Sequence, residues 1–593
     1  MSRAARGKPT PLRAALFLVA AGILAAGCTA IPTSGGVHAA GAQKNENEPP
    51  SRVVVQPQGP VEGASPTDIV DGFRFASADF ADISISRSFL VDPTWQPDQG
   101  VRVIAEQSGP ATFTPQGDHA TVRYVDNWIG TIAGDGTYQP TSGNQTVDYT
   151  YELVKDTKTK GQWRILNPPP FLTLPQSWIN ANFNSGYLYF LSPRNDQVLV
   201  PIRVFLPITG TDAARELVLQ LLAGPPKWLQ DAGVTSAIPS GVQLQSVTQS
   251  RSDGVVTVNL SPEIASLSAS DRDAASAQLV YTLQGYGGGQ FKIEAAGQPV
   301  ENSHHVALQS TKTWSAYNTD ALDAGPFYFI GGDHRTRNAN GEPIPGDAGS
   351  GAVKFLSVAV APKAANNPGP DLIAGVDSDG STQHLYVGAM AQPKRVDFGA
   401  AFTTPSWDMF GNVWTVRTET PGGPQEVRVS PVTQAGTTKF MTVSDPELAA
   451  SQLIETLRVS RDGTRVAVIA KSAAAGPQLL VGHVVKTQGG ESISGFYPVA
   501  PSLVPVADGV VWASSTKLEV LATASGASSP SIWSVDVDGW NAQQVPTPAV
   551  DIVSIAQAPD QPLVIGTKSG QIEVSVNDAW QVVATGSMPS YPG

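Results

Sequence analysis

Leu457-Arg458-Val459-Ser460-Arg461-Asp462-Gly463, followed by Val466-Ala467-Val468-Ile469, is the stretch on which the reading of the fold turns. A short strand, a tight turn at Asp462-Gly463 and a returning apolar strand make a hairpin signal. The same phrase recurs along the C-terminal half. Residues 356–362 precede a strand at 372–376 and a turn at Asp377-Ser378-Asp379-Gly380. Ser406-Trp407-Asp408 precedes Val413-Trp414-Thr415-Val416, and Leu503-Val504-Pro505 precedes Val510-Val511-Trp512. Residues 552–556 precede Leu563-Val564-Ile565. Units start roughly 45 to 51 residues apart, the period of four-stranded propeller blades. From about Trp314 onward, some 280 residues at that period give roughly six blades, so residues 311–593 are expected to form a β-propeller.

Upstream the pattern changes. At 186–310, strands at 187–191 and 199–204 lead to a helical stripe of Ala214, Leu217, Val218, Leu221 and Leu222, stopped by Gly224-Pro225-Pro226. Then follow Ser236-Ala237-Ile238-Pro239-Ser240-Gly241-Val242, a strand at 255–260, a second helix carrying Ala275, Leu279 and Leu283, and a closing strand at 291–294. This ordered series resembles a GerMN domain, a small α/β module. Residues 64–185 open on Ser65-Pro66-Thr67-Asp68, a capping-box helix start, and continue with the stripe Ile69, Phe73, Ala76, Phe80. Strands are expected at 101–103, 120–125, 128–132, 146–154 and 162–166, with Pro168-Pro169-Pro170 closing the unit. One helical region before a curved antiparallel sheet resembles an NTF2-like cone. The fold class expected is therefore multi-domain: an NTF2-like α+β domain, a GerMN α/β module and a C-terminal β-propeller.

At the N-terminus, Arg3, Arg6, Lys8 and Arg13 precede an apolar run from Ala14 to Ala26. That run is shorter than the ~20 residues a membrane-spanning helix needs and has the layout of a signal peptide, residues 1–27. Cys28 follows and is the only cysteine among 593 residues, so no intrachain disulfide can form. Leu24-Ala25-Ala26-Gly27-Cys28 resembles a bacterial lipobox, with Ala25 where Leu is usual. The resemblance implies that Cys28 becomes an S-diacylglycerol and N-palmitoyl cysteine, anchoring the chain in membrane lipid. The competing reading is an ordinary secretory signal with an incidental cysteine. Several acyl chains hold a protein stably where one does not. Residues 28–63, rich in Pro, Gly, Asn, Gln and Glu, are expected to be a flexible tether.

A net charge of −13 argues against nucleic acid and against an anionic membrane surface as partner. With 15% charged residues beside 57 Gly and 48 Pro, the composition suits turn-rich β structure. No nucleophile elbow, phosphate-binding loop or His-Glu-x-x-His stretch is present, and no catalytic residues, metal ligands or cofactor are expected. Gly285-Tyr286-Gly287-Gly288-Gly289 follows a helix, which makes it a helix-to-strand turn and not a nucleotide loop. The paired carboxylates Asp377/Asp379 and Asp536/Asp538 lack the full oxygen set of a calcium loop and read as hairpin turns. His304-His305 would point to opposite faces of a strand and read as surface residues. Trp407, Trp414, Trp512, Trp533, Trp540 and Trp580 either pack between blades or line a binding face.

Lipobox, Ile31-Pro32-Thr33-Ser34-Gly35 start, cone, GerMN module and propeller occur in one order, and that arrangement resembles the LpqB family of actinobacterial envelope lipoproteins. The resemblance implies a non-enzymatic protein on the extracytoplasmic face of the cell membrane. Its implied partner is the extracytoplasmic domain of an MtrB-like sensor histidine kinase, and through it MtrA signalling, envelope homeostasis and cell division. The alternative is a lipoprotein whose propeller funnel holds a cell-wall glycan or peptide.

Overall fold

The computed structural model describes residues 57–593, apart from short internal stretches of which 364–370 and 501–506 are the longest. Cys28, the signal peptide and the tether as far as residue 56 lie outside the described residues.

The capping box forms as the sequence dictates. Ser65 Oγ accepts from the Asp68 N–H, and Asp68 accepts from the Ser65 N–H at 3.0 Å, starting the helix Pro66–Ala76. Ile69, Phe73 and Ala76 are buried; the helix ends before Phe80, which lies outside the described residues. The helix packs on a six-stranded sheet whose main path runs Gln162–Ile165, Tyr138–Asp156, His119–Ile132, Val101–Ile104, Leu172–Pro175. Pairing is antiparallel except where Leu172–Pro175 lies parallel to Val101–Ile104. The two strands expected at 120–125 and 128–132 are one strand. Asp126 lies within that strand, His119–Ile132, and is paired inside the core with Arg74 at 2.9 Å.

In the next unit the hairpin Asn184–Ser192/Asn195–Leu206 leads into the helix Gly210–Ala223, ended by Gly224 at φ 88° before two prolines. Val256–Leu260 and Phe291–Ala295 pair in parallel, and the helix Ala269–Thr282 makes the crossover such a pair requires. Leu217, Leu221, Leu279 and Phe291 form the centre of the core. Trp314 and Tyr317, where the chain turns from helical to strand-rich, still belong to this core.

From Tyr328 onward the chain is a succession of antiparallel sheets. Ser357–Val360, Gln452–Val459 and Ala507–Ser514 each begin a four-stranded sheet. Another sheet is built on Asn412–Thr418 and Gln425–Thr433. The last sheet runs from Ile552–Ala556 to the long strand Ala579–Ser590, which pairs with Gln571–Val576 through its first half and with Tyr328–Gly331 through its second. The end of the chain is thereby joined to the start of the propeller. Val510–Trp512 lies in the first strand of its sheet, Ala507–Ser514, and residues 503–505 lie outside the described residues.

Hydrogen bonds repeat from sheet to sheet at the spacing of the sequence repeat. Trp407 Nε1 donates to the Ala359 carbonyl at 3.2 Å, Arg458 Nη1 to the Thr404 carbonyl at 2.9 Å, and Trp512 Nε1 to the Arg458 carbonyl at 3.0 Å. The partners lie 48, 54 and 54 residues apart.

Candidate functional site

Polar chemistry is concentrated inside the protein at two places. The first is the junction of the three folded units. Arg203, on the strand Asn195–Leu206, places Nη2 at 2.5 Å from Asp536 Oδ2 and Nε at 2.6 Å from Asp538 Oδ2. Both acids sit at the turn after Ser531–Asp536, where Gly539 adopts φ 85°. Burial works against the Arg203 charge, but Asp538, Tyr187 and Asp536 outweigh it and hold the guanidinium pKa above its usual value. The next residue, Trp540, is 1% exposed and joins the core of the N-terminal unit. It packs tilted against Phe205 and edge-to-face with Tyr138, with ring centres 4.5 and 4.9 Å away, and its Nε1 donates to Asn180 Oδ1 at 2.7 Å.

A cleft of about 250 Å³ opens beside this junction, lined by Tyr138 from the first unit, Tyr187 and Arg203 from the second, and His483 and Tyr497 from the propeller. His483 is paired across strands with Arg465. Burial, with Arg465 adding to it, pulls the imidazole down to about 3, so it stays neutral at physiological pH.

The second place is a cavity of about 180 Å³ at the centre of the propeller. Its wall is assembled from segments around Val358, Ser406, Val459, Val511, Ile555 and Ser590, one from each of six stretches spaced along the chain. Arg458 enters from this wall, and among the described residues its acceptors are the carbonyls of Thr404 and Leu457, both bonded by Nη1. No carboxylate among the described residues pairs with it. Burial lowers it to about 10, which leaves it charged at neutral pH. Two hydroxyls on the same cavity, Thr319 Oγ1 and Ser554 Oγ, are buried without a hydrogen-bond partner among the described residues. The cavity's carboxylates are engaged elsewhere: Asp320 accepts from Ser515 Oγ at 2.6 Å, Asp462 from Thr464 Oγ1 at 2.6 Å, and Asp508 from Thr523 Oγ1 at 2.6 Å.

The residues singled out from sequence fall as follows. Cys28 lies outside the described residues. Asp377 and Asp379 flank a hairpin turn, with Asp377 bonded to His384 at 2.9 Å. Asp536 and Asp538 are a turn, as read, but one that holds Arg203. Gly287, Gly288 and Gly289 all adopt positive φ in the connection from helix to strand, and a Cβ on Gly287 would meet Val256 at 2.4 Å. His304 and His305 are exposed in a turn, not on a strand. Trp407, Trp414 and Trp540 are core residues; Trp533 is half-buried and Trp580 packs at the rim of its sheet. Of the six tryptophans only Trp512 lines the central cavity. Arg203 and Arg458 were not singled out. For Arg458 the signal was present: an arginine stands in the middle of the recurring strand phrase.

Three family models match the chain in this order. The N-terminal domain of lipoprotein LpqB matches residues 59–180, a model of sporulation and spore germination matches 187–301, and the β-propeller domain of lipoprotein LpqB matches 334–592. Lipoprotein LpqB of Thermobifida fusca is 28% identical over 641 residues, covering 99% of this chain and 100% of that protein. Lipoprotein LpqB of Streptomyces coelicolor is 26% identical, covering 99% of each. Among solved structures, TolB from Acinetobacter baumannii aligns with 84% of this chain and 98% of its own at 11% identity and a TM-score of 0.32. No helix among the described residues is long and apolar enough to cross a membrane. With family models on both sides of the middle module and relatives along the full length, the chain belongs to the LpqB family of lipoproteins.

Proposed function

We propose that this protein is a non-enzymatic docking lipoprotein, held on the extracytoplasmic face of the cell membrane through Cys28. It binds the extracytoplasmic domain of an MtrB-like sensor histidine kinase and so modulates envelope homeostasis and division. The anchor confines it to the kinase's neighbourhood, and proximity raises effective concentration without any new contact. The observation that carries the reading is the junction. Arg203, Asp536, Asp538 and Trp540 clamp three domains together through buried contacts, giving one stiff body able to present a composite surface. In the same reading the N-terminal unit is an NTF2-like cone, the domains divide near residues 186 and 311, and the propeller has about six blades, one for each segment around the central cavity. Full-length protein in lipid nanodiscs should bind the purified kinase sensor domain, read by surface plasmon resonance. No binding at the highest soluble concentration would remove the proposal.

A second reading, a cell-wall glycan or peptide held in the propeller, is favoured by the central cavity with Arg458 and Trp512 on its wall.

A further inference from the structure

We infer that the central cavity of the propeller is a site for a small carboxylate ligand on an apolar body, such as a short peptide C-terminus, with the Arg458 guanidinium as its counter-charge. The inference rests on the second reading above and names its ligand chemistry.

A guanidinium withdrawn from water without an anion is costly, and it cannot shed its proton at physiological pH. Proteins ordinarily answer that cost with a carboxylate, as this one does for Arg74 and Arg203. At Arg458 the protein supplies two carbonyl oxygens and leaves the rest of the planar fork facing the cavity. That fork matches a carboxylate in two parallel hydrogen bonds. Asp320, Asp462 and Asp508 already hold hydroxyls of the chain, so none competes for Arg458. Val459, Val511, Ile555 and Trp512 line the remainder, which suits a methyl or small apolar side chain better than a sugar. About 180 Å³ is room for a carboxylate and the last residue of such a peptide.

The test is isothermal titration calorimetry on the full-length protein in detergent micelles. The probes are N-acetyl-alanyl-alanine, its C-terminal amide, and a neutral wall disaccharide. The acid should bind and the amide should not. Arg458→Gln should weaken acid binding roughly 30-fold or more, and Arg458→Lys should weaken it less. If Arg458→Gln fails to fold, the acid–amide difference on the wild type and the Arg458→Lys titration decide the matter. The inference is overturned if the wild type ignores the acid, if acid and amide bind alike, or if Arg458→Gln binds as the wild type does. Disaccharide binding that is indifferent to Arg458 would keep the wall-ligand reading and overturn the carboxylate assignment.

Discussion

Arg203 and Arg458 are both taken out of bulk water, and the protein treats them in opposite ways. Arg203 is answered by two carboxylates and a tyrosine hydroxyl, and the result is a joint. Among the described residues Arg458 is answered by carbonyls alone, and on our inference it awaits an anion. The contrast concerns charge balance: Arg203 is buried and fully paired within the chain, whereas Arg458 is half-buried on a cavity and lacks a carboxylate partner among the described residues. Glu519 supplies the third case. It is 7% exposed, accepts from Ser534 Oγ at 2.9 Å through Oε1, and leaves Oε2 without a partner. A carboxylate in that position has an escape that a guanidinium lacks, because it can keep its proton. Burial accordingly raises it to about 7.

The largest effect belongs to the joint. Arg203→Met strands Asp536 and Asp538 in a dry interface and should cost about 3–5 kcal/mol in urea denaturation. Adding Asp536→Asn and Asp538→Asn should return part of that loss. A cost near that of an exposed pair would show that the junction is wet. Next comes Glu519. Its folded-state pKa is raised above the unfolded value, so its contribution is full below about pH 4.5 and is lost as pH rises through about 7. Stability should therefore fall by on the order of 2 kcal/mol between about pH 5 and about pH 8, and Glu519→Gln should flatten that segment of the curve. Arg458→Gln, without ligand, should change stability by less than about 1 kcal/mol, since it removes an unanswered charge and two carbonyl contacts together. A loss as large as that at Arg203 would mean that Arg458 is structural and would erase the contrast. Smallest is Arg123→Ala. Its pair with Asp148 is geometrically good, at 2.7 and 2.5 Å, but solvent-exposed, and its removal should leave the melting temperature nearly unchanged.

Much of this architecture is legible in the residues. The Ser65–Asp68 box, the Gly224-Pro225-Pro226 stop and the recurring strand phrases rest on local chemistry that the chain carries wherever it goes. The propeller repeat is visible because each sheet solves the same packing problem with the same spacing, which the Trp407, Arg458 and Trp512 bonds make explicit. What local chemistry does not carry is pairing at a distance. Arg203 meets acids more than 300 residues away, so nothing near it announces the joint. The Asp536-Val537-Asp538-Gly539 stretch is legible as a turn, but its docking role is set by a different domain. Strand Ala579–Ser590 likewise meets Tyr328–Gly331 only once the propeller forms.

The central claim, a docking lipoprotein working from the membrane, is tested most directly by purifying the protein from native membranes beside its Cys28→Ala form and identifying lipid and partners by mass spectrometry. The account predicts an acylated wild type that brings a sensor kinase with it, and a Cys28→Ala form that loses both. An acylated wild type that arrives without a kinase, or a Cys28→Ala form that retains it equally well, would contradict the account.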